Sequence, residues 1–223
     1  MRFARDNSLS MFFLAIFLAS LAGQAIAGHG QFNHDQLLHH GDPISLGRYL
    51  TTSQFAADVA ENWQSEYLQF TLYIVGTVWL LQRGSPESKP LDQAGRESDE
   101  DQQIGPHAGP RSPRWARTCG LRTALYENSL LIVMTTIWLG SWLAQSIAGA
   151  SGYNADQLDH QAATVSWLGY LGSSDFWSRT LQNWQSEFLA VGSMAILSVY
   201  LRQRGSPESK PVGAPHDATG VEG

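Results

Sequence analysis

The sequence predicts an all-α membrane protein of four transmembrane helices, made by tandem duplication of a two-helix unit. Three observations predict it. Residues 7–90 align with residues 128–211 without a gap, at an offset of about 121 residues. Each copy carries two apolar runs, and the longer of the two holds no charge. Lysine and arginine avoid the stretch between the paired runs: of 14 basic residues only Arg48 and Arg179 fall there.

The duplication is read directly from the residues. Asn7-Ser8-Leu9 recurs as Asn128-Ser129-Leu130, and Gln24-Ala25-Ile26-Ala27-Gly28 as Gln145-Ser146-Ile147-Ala148-Gly149. Asn62-Trp63-Gln64-Ser65-Glu66 recurs at 183–187, and the nine residues 82–90 recur unchanged at 203–211. The resulting organisation is a first two-helix repeat over 1–90, a linker over 91–121, a second repeat over 122–211 and a tail over 212–223. Two tandem units joined by a linker lie parallel, related by a pseudo-two-fold axis along the membrane normal.

The first helix of each copy is the clearest. Residues 9–27 and 130–150 are runs of about 20 residues, enough to cross a hydrocarbon core about 30 Å thick. The second helices, over 67–81 and 188–201, are shorter and reach spanning length by drawing the preceding Trp-Gln-Ser-Glu into the interface. The mean hydropathy of −0.19 hides this pattern, because apolar runs alternate with very polar ones. Arg2, Arg5, the apolar run and Ala25-Ile26-Ala27 before Gly28 also look like a cleavable secretory signal. The same pattern recurs deep inside the chain at 130–149, so a retained helix is expected.

Between the helices, Ser53 and Ser174 are expected to cap helices that run through the Trp-Gln-Ser-Glu segments into the membrane. Arg83-Gly84 and Arg204-Gly205 read as helix ends with a left-handed glycine, followed by proline. The linker and tail, rich in Gly, Pro, Arg and acidic residues, have no apolar period and are expected to be disordered. The positive-inside rule then places both termini and the linker in the cytoplasm and loops 28–62 and 149–183 outside. Trp63 and Trp184 mark the outer interface, Trp79 and Tyr200 the inner one.

The first and third spans each carry small residues every four positions: Ala15, Ala19, Gly23 and Ala27, then Thr136, Gly140, Ala144 and Ala148. Such faces let helix backbones approach closely in lipid, so these are the expected helix-packing residues.

Candidate functional residues are few. Glu66 and Glu187 sit about one turn inside the shorter spans, where ionisable groups are costly and often functional. Gln24 and Gln145 lie near the same depth and are candidate partners for them. The bland reading, carboxylates at a helix end that reach water, is the expected one. The outer loops hold Asn33-x-Asp35-Gln36-Leu37-x-His39 and Asn154-x-Asp156-Gln157-Leu158-x-His160. On a helix, Asp35 with His39 and Asp156 with His160 would share a face with metal-ligand spacing. Neither loop closes a ligand set, so no metal and no cofactor is expected. Cys119 is the only cysteine, which excludes an intrachain disulfide. No nucleophile elbow, phosphate-binding glycine loop or His-Glu-x-x-His is present, so no enzyme is expected. The net charge of −6, with no basic patch among aromatics, argues against nucleic acid as a partner.

The repeated elements at 7–9, 24–28, 61–68 and 82–89 resemble an uncharacterised family of bacterial multi-pass membrane proteins, a domain of unknown function (number 6766), in two tandem copies. The resemblance covers both repeats and implies a bacterial plasma (inner) membrane location. It carries no activity and no site residue. The first functional expectation is thus a non-enzymatic envelope component whose partners are the lipid bilayer and an unidentified protein. The alternatives are a small ion- or proton-coupled transporter or channel using Glu66 and Glu187, and a periplasmic metal or pH sensor resting on the histidines. Gln69, Tyr73 and Thr77 below Glu66, against Ala190, Met194 and Ser198 below Glu187, make a thin polar path for transport.

Overall fold

The computed structural model describes residues 2–223 and is all-helical, with no strand among the described residues. The elements are α1 (Arg2–Asp6), α2 (Ser8–Leu38), α3 (Leu46–Tyr49), α4 (Ser53–Trp79), a 3-10 turn (Gly105–His107), α5 (Leu121–Glu127), α6 (Ser129–Asp159), α7 (Trp167–Leu171) and α8 (Ser174–Tyr200). They form two compact units. One comprises residues up to Ala60 with Ala144–Phe176; the other comprises Glu61–Leu143 with Trp177–Gly223.

Two helices, α2 and α6, each of 31 residues, are long and apolar enough to cross a membrane. At 1.5 Å per residue each is about 46 Å long, more than the hydrocarbon core requires. Both therefore continue past the apolar run, to Leu38 and Asp159, through residues expected to lie in the outer loops. Along α2 the apolar side chains stay uncovered: Phe12 is 59% and Phe13 60% exposed, and Ala25 is the one buried residue of the helix.

Local chemistry sets the boundaries. The Asn7 side chain donates Nδ2 to the Phe3 carbonyl at 2.8 Å, and Asn128 does the same to Ala124 at 2.8 Å. Each amide competes with the backbone ladder, so a short helix stops there and a long one starts. The hydroxyls of Ser45 and Ser166 cap α3 and α7, accepting from Arg48 N at 3.4 Å and Gly169 N at 3.1 Å. The caps of α4 and α8 lie one residue before the expected Ser53 and Ser174. Thr52 Oγ1 accepts from Phe55 N, and Ser173 Oγ from Phe176 N, both at 3.2 Å. From there each helix runs unbroken for 27 residues.

Within the chain the small-residue rows are left uncovered. Ala15, Ala19, Gly23, Ala27, Thr136, Gly140 and Ala144 are exposed, and Ala148 is only half-buried. A Cβ built on Gly23 or Gly140 has nothing within 4 Å. The close approach falls elsewhere, at Gly28 and Gly149. A Cβ there would lie 2.3 Å from Tyr49 Oη and 2.5 Å from Tyr170 Oη respectively. The absent side chain makes room for a tyrosine from α3 or α7, not for a second helix backbone.

Gly84 and Gly205 do have positive φ, +82° and +81°, but α4 ends at Trp79 and α8 at Tyr200. The glycines lie in the following turn and are not helix caps. Those turns are the repeated Gln-Arg-Gly-Ser-Pro-Glu-Ser-Lys stretch, and both copies fold alike. Ser88 Oγ accepts from Gln82 N at 3.0 Å, and Ser209 Oγ from Gln203 N at 2.9 Å. Lys89 then reaches forward to the Gly95 carbonyl at 2.7 Å and pairs with Glu97. Lys210, 1% exposed, donates to the carbonyls of Pro215, His216 and Ala218 at 3.1, 2.8 and 3.1 Å. An ammonium has three protons, so its donor capacity is filled. In this way the start of the linker and the tail, which composition alone leaves without structure, are tied down as turns.

Candidate functional site

The densest polar cluster sits at the head of α4 and α8, around the repeated Asn-Trp-Gln-Ser-Glu. Glu61 accepts from Arg179 Nη1 at 3.1 Å and from Asn183 Nδ2 at 3.1 Å. Asn183 also donates to the Arg179 carbonyl at 3.1 Å. One turn on, Trp184 Nε1 donates to Gln64 Oε1 at 2.8 Å, and Gln64 is fully buried. The motif of the second copy thus closes on the motif of the first. Around it stand the indoles of Trp138, Trp142 and Trp177. Trp142 stacks on Trp138 at 6.0 Å and meets Trp177 and Trp184 edge-on or tilted at 6.2 and 5.9 Å. Aromatic pairs in such geometries add about 0.5–1.5 kcal/mol each beyond their burial.

This cluster has a measurable consequence. Trp184→Phe leaves a buried amide oxygen without its donor, which costs about 1–3 kcal/mol. Gln64→Leu in that background removes the stranded group and is expected to recover most of the loss. Thermal unfolding of the four chains in detergent measures the cycle; simple additivity of the two changes would show that the indole–amide bond contributes nothing.

Below the cluster, Glu66 is exposed and Glu187 half-buried. The Glu187 carboxylate lies within electrostatic reach of Glu66, with no hydrogen bond between them among the described contacts. The two glutamines differ: Gln145 is buried, at 1% exposure, and Gln24 is only half-buried. Gln69, Tyr73 and Thr77 line one wall of a cavity of about 350 Å³ whose other wall includes Phe188, Val191 and Ala195 of α8. At its inner end the Tyr73 hydroxyl donates to the Glu87 carboxylate. Glu208, the counterpart of Glu87, hydrogen-bonds to Glu87. That bond, then the Glu87 charge, partial burial and Glu222, hold its carboxyl above the ordinary range.

The histidines of the two repeated motifs bond first to the main chain. His39 Nδ1 donates to the Asp35 main-chain carbonyl at 2.8 Å, and His160 Nδ1 to that of Asp156 at 2.9 Å. Each imidazole closes the last turn of its helix, and His160 Nδ1 also lies 3.5 Å from the Asp156 carboxylate. The two rings approach to 6.2 Å. Among the described residues, no three His, Cys, Asp or Glu side chains are grouped to hold a metal ion. The residue in this motif that the sequence reading passed over is the asparagine. Asn33 holds the peptide of Ile44 from both sides, with Nδ2 to O at 3.0 Å and N to Oδ1 at 2.8 Å. Asn154 holds Val165 identically, at 2.9 and 2.8 Å. Its recurrence in both loops was the available signal. For Glu61 and Arg179 the signal was fainter: Arg179 is one of only two basic residues between paired runs.

An all-helical protein with two membrane-length apolar helices, its polar motifs turned to helix–helix and loop contacts, is the class that these features define. The chain belongs to the family described as Domain of unknown function (DUF6766), whose model matches residues 1–221, linker and tail included. No curated protein matches the chain, and no solved structure does.

Proposed function

We propose that the chain is a four-span, multi-pass protein of a bacterial plasma membrane, with both termini and the linker cytoplasmic, acting without catalysis as an envelope component that binds lipid or a protein partner. The tandem two-helix repeat makes α4 and α8 the second and fourth spans and relates the halves by a pseudo-two-fold axis. The observation that carries the reading is the use of the polar motif. Glu61, Arg179, Asn183, Gln64 and Trp184 bind one another, so the most polar part of α4 and α8 serves as a helix clamp at the outer interface.

Topology tests it first. Cys119 is exposed and lies in the arginine-rich linker. A membrane-impermeant maleimide is expected to miss it in intact cells and label it after lysis. Labelling before lysis would reverse the orientation.

A transporter using Glu66 and Glu187 is the second reading, favoured by one observation: the polar strip Gln69, Tyr73, Thr77 lines a cavity on the inner side of Glu66. Its test is complementation of a deletion strain. The exposure of Glu66 makes full complementation by the Glu66→Gln/Glu187→Gln chain the expected result. A folded, membrane-inserted double variant that fails to complement would establish the second reading in place of the first.

A further inference from the structure

The cavity between the inner halves of α4 and α8 has the build of a ligand site. Its walls are apolar, including Leu72 from α4, Leu80 just past its end, and Phe188 and Val191 from α8. Polar groups are confined to one strip, Gln69, Tyr73 and Thr77, and to the floor formed by the repeated turn. Pockets for small ligands have this composition, a mostly apolar lining with a few placed polar groups, and volumes of about 300–1,000 Å³. At about 350 Å³ this one suits a single chain and not the two chains of a phospholipid.

The floor selects the charge. Glu87 is the one ionisable acid or base other than Tyr73 among the lining residues. The lysine two positions on in each turn is unavailable: Lys89 binds Gly95 O and Glu97, and Lys210 binds three tail carbonyls. The Glu208 carboxyl also stands against Glu87, outside the lining itself. Two carboxylates in contact are held together by a shared proton, and an ammonium group can take that proton's place.

We infer that this cleft binds a single-chain lipophilic amine, its alkyl chain between α4 and α8 and its ammonium at Glu87 beside Tyr73. The inference rests on the proposed topology only in placing the cleft in the inner leaflet. An amine head without a phosphate suits the site better than a zwitterionic headgroup, whose phosphate would meet the carboxylates.

The test uses the full chain in phosphatidylcholine nanodiscs, with radiolabelled dodecylammonium as the probe and empty discs as background. Saturable uptake near one per chain is expected, displaced at least tenfold more weakly by dodecanol than by unlabelled dodecylammonium. Glu87→Gln is expected to weaken binding tenfold or more. Gly76→Leu is expected to abolish it, because a Cβ there meets only Leu80 Cδ1, at 3.7 Å, and a larger side chain enters the cleft without a backbone conflict. Uptake equal to empty discs, or displacement by dodecanol as strong as by the amine, overturns the inference on the wild-type chain alone. Unchanged binding by a folded Glu87→Gln or Gly76→Leu chain overturns the site. Displacement by added phosphatidylethanolamine at matched concentration would overturn the preference for a free amine. None of these outcomes touches the Cys119 labelling result, so the topology and the ligand fail separately.

Discussion

Alanine at Gly28 or Gly149 is expected to lower stability by about 1–3 kcal/mol, the usual cost of forcing an extra group into a packed site. The same substitution at Gly23 or Gly140 should be neutral or raise stability by up to about 1 kcal/mol, because alanine is the better helix former. The contrast comes from what a Cβ meets. At Gly28 it falls 2.3 Å from Tyr49 Oη and 3.1 Å from Cζ, and the tyrosine has no retreat. Tyr49 is 2% exposed, with Phe55, Phe32 and His29 rings at 5.4, 5.6 and 5.9 Å. At Gly149 the Tyr170 hydroxyl stands 2.5 Å away and donates to Asp175 at 3.0 Å. Removing the hydroxyl should therefore rescue Gly28→Ala well through Tyr49→Phe. Tyr170→Phe should rescue Gly149→Ala poorly, since it also breaks the bond to Asp175. Melting curves in detergent check all six single and both double variants. Equal effects at Gly23 and Gly28 would return the packing face to the small-residue row.

Gly84→Ala should be the most damaging change in the repeated turns, and Gly205→Ala clearly milder. Both positions are left-handed, which costs an L-residue roughly 1–2 kcal/mol. At Gly205 nothing else opposes a side chain. At Gly84 the Cβ would sit 2.2 Å from the His216 carbonyl and 2.9 Å from a Val199 methyl. The backbone there also donates to Thr219 Oγ1 at 2.8 Å, and Ser85 O accepts from Gly220 N at 3.0 Å. A side chain at Gly84 must therefore push the tail away, and limited proteolysis should cut Gly84→Ala in the tail well before it cuts Gly205→Ala. Equal protease sensitivity of the two variants would show that the tail does not lie against the first turn.

Much of the helical order was legible because lipid-length apolar runs and asparagine or serine stops are local signals. The extension of α2 to Leu38 was not, since residues 28–38 are mostly polar and their few apolar side chains, Phe32, Leu37 and Leu38, do not continue the apolar run. Gly28-His29-Gly30 reads locally as a break; its first glycine is instead the seat of Tyr49, contributed from 21 positions further along the chain. The small-residue rows are uncovered within the chain for a related reason. Spacing identifies a face but not what covers it. Of the candidate residues, Glu66 and Glu187 could be found as acids in apolar runs. Glu61 and Arg179 could not be paired from sequence, because 118 residues separate them. The unchanged nine-residue stretch was conspicuous, yet its use as a turn that holds down the chain beyond it depends on where two lysine ammonium groups point.

The Glu61–Arg179 pair also bears on how freely the halves can be exchanged. At the offset of the two aligned stretches, position 179 corresponds to Asp58 and position 61 to Gln182. Two first halves brought together would set aspartate against glutamate at both contacts, and like charges there repel. Two second halves would set arginine against glutamine and lose the ion pair. Only one half of each kind satisfies the contact. The acid comes from one aligned stretch and the base from the other, so the contact is asymmetric where the sequences are otherwise alike.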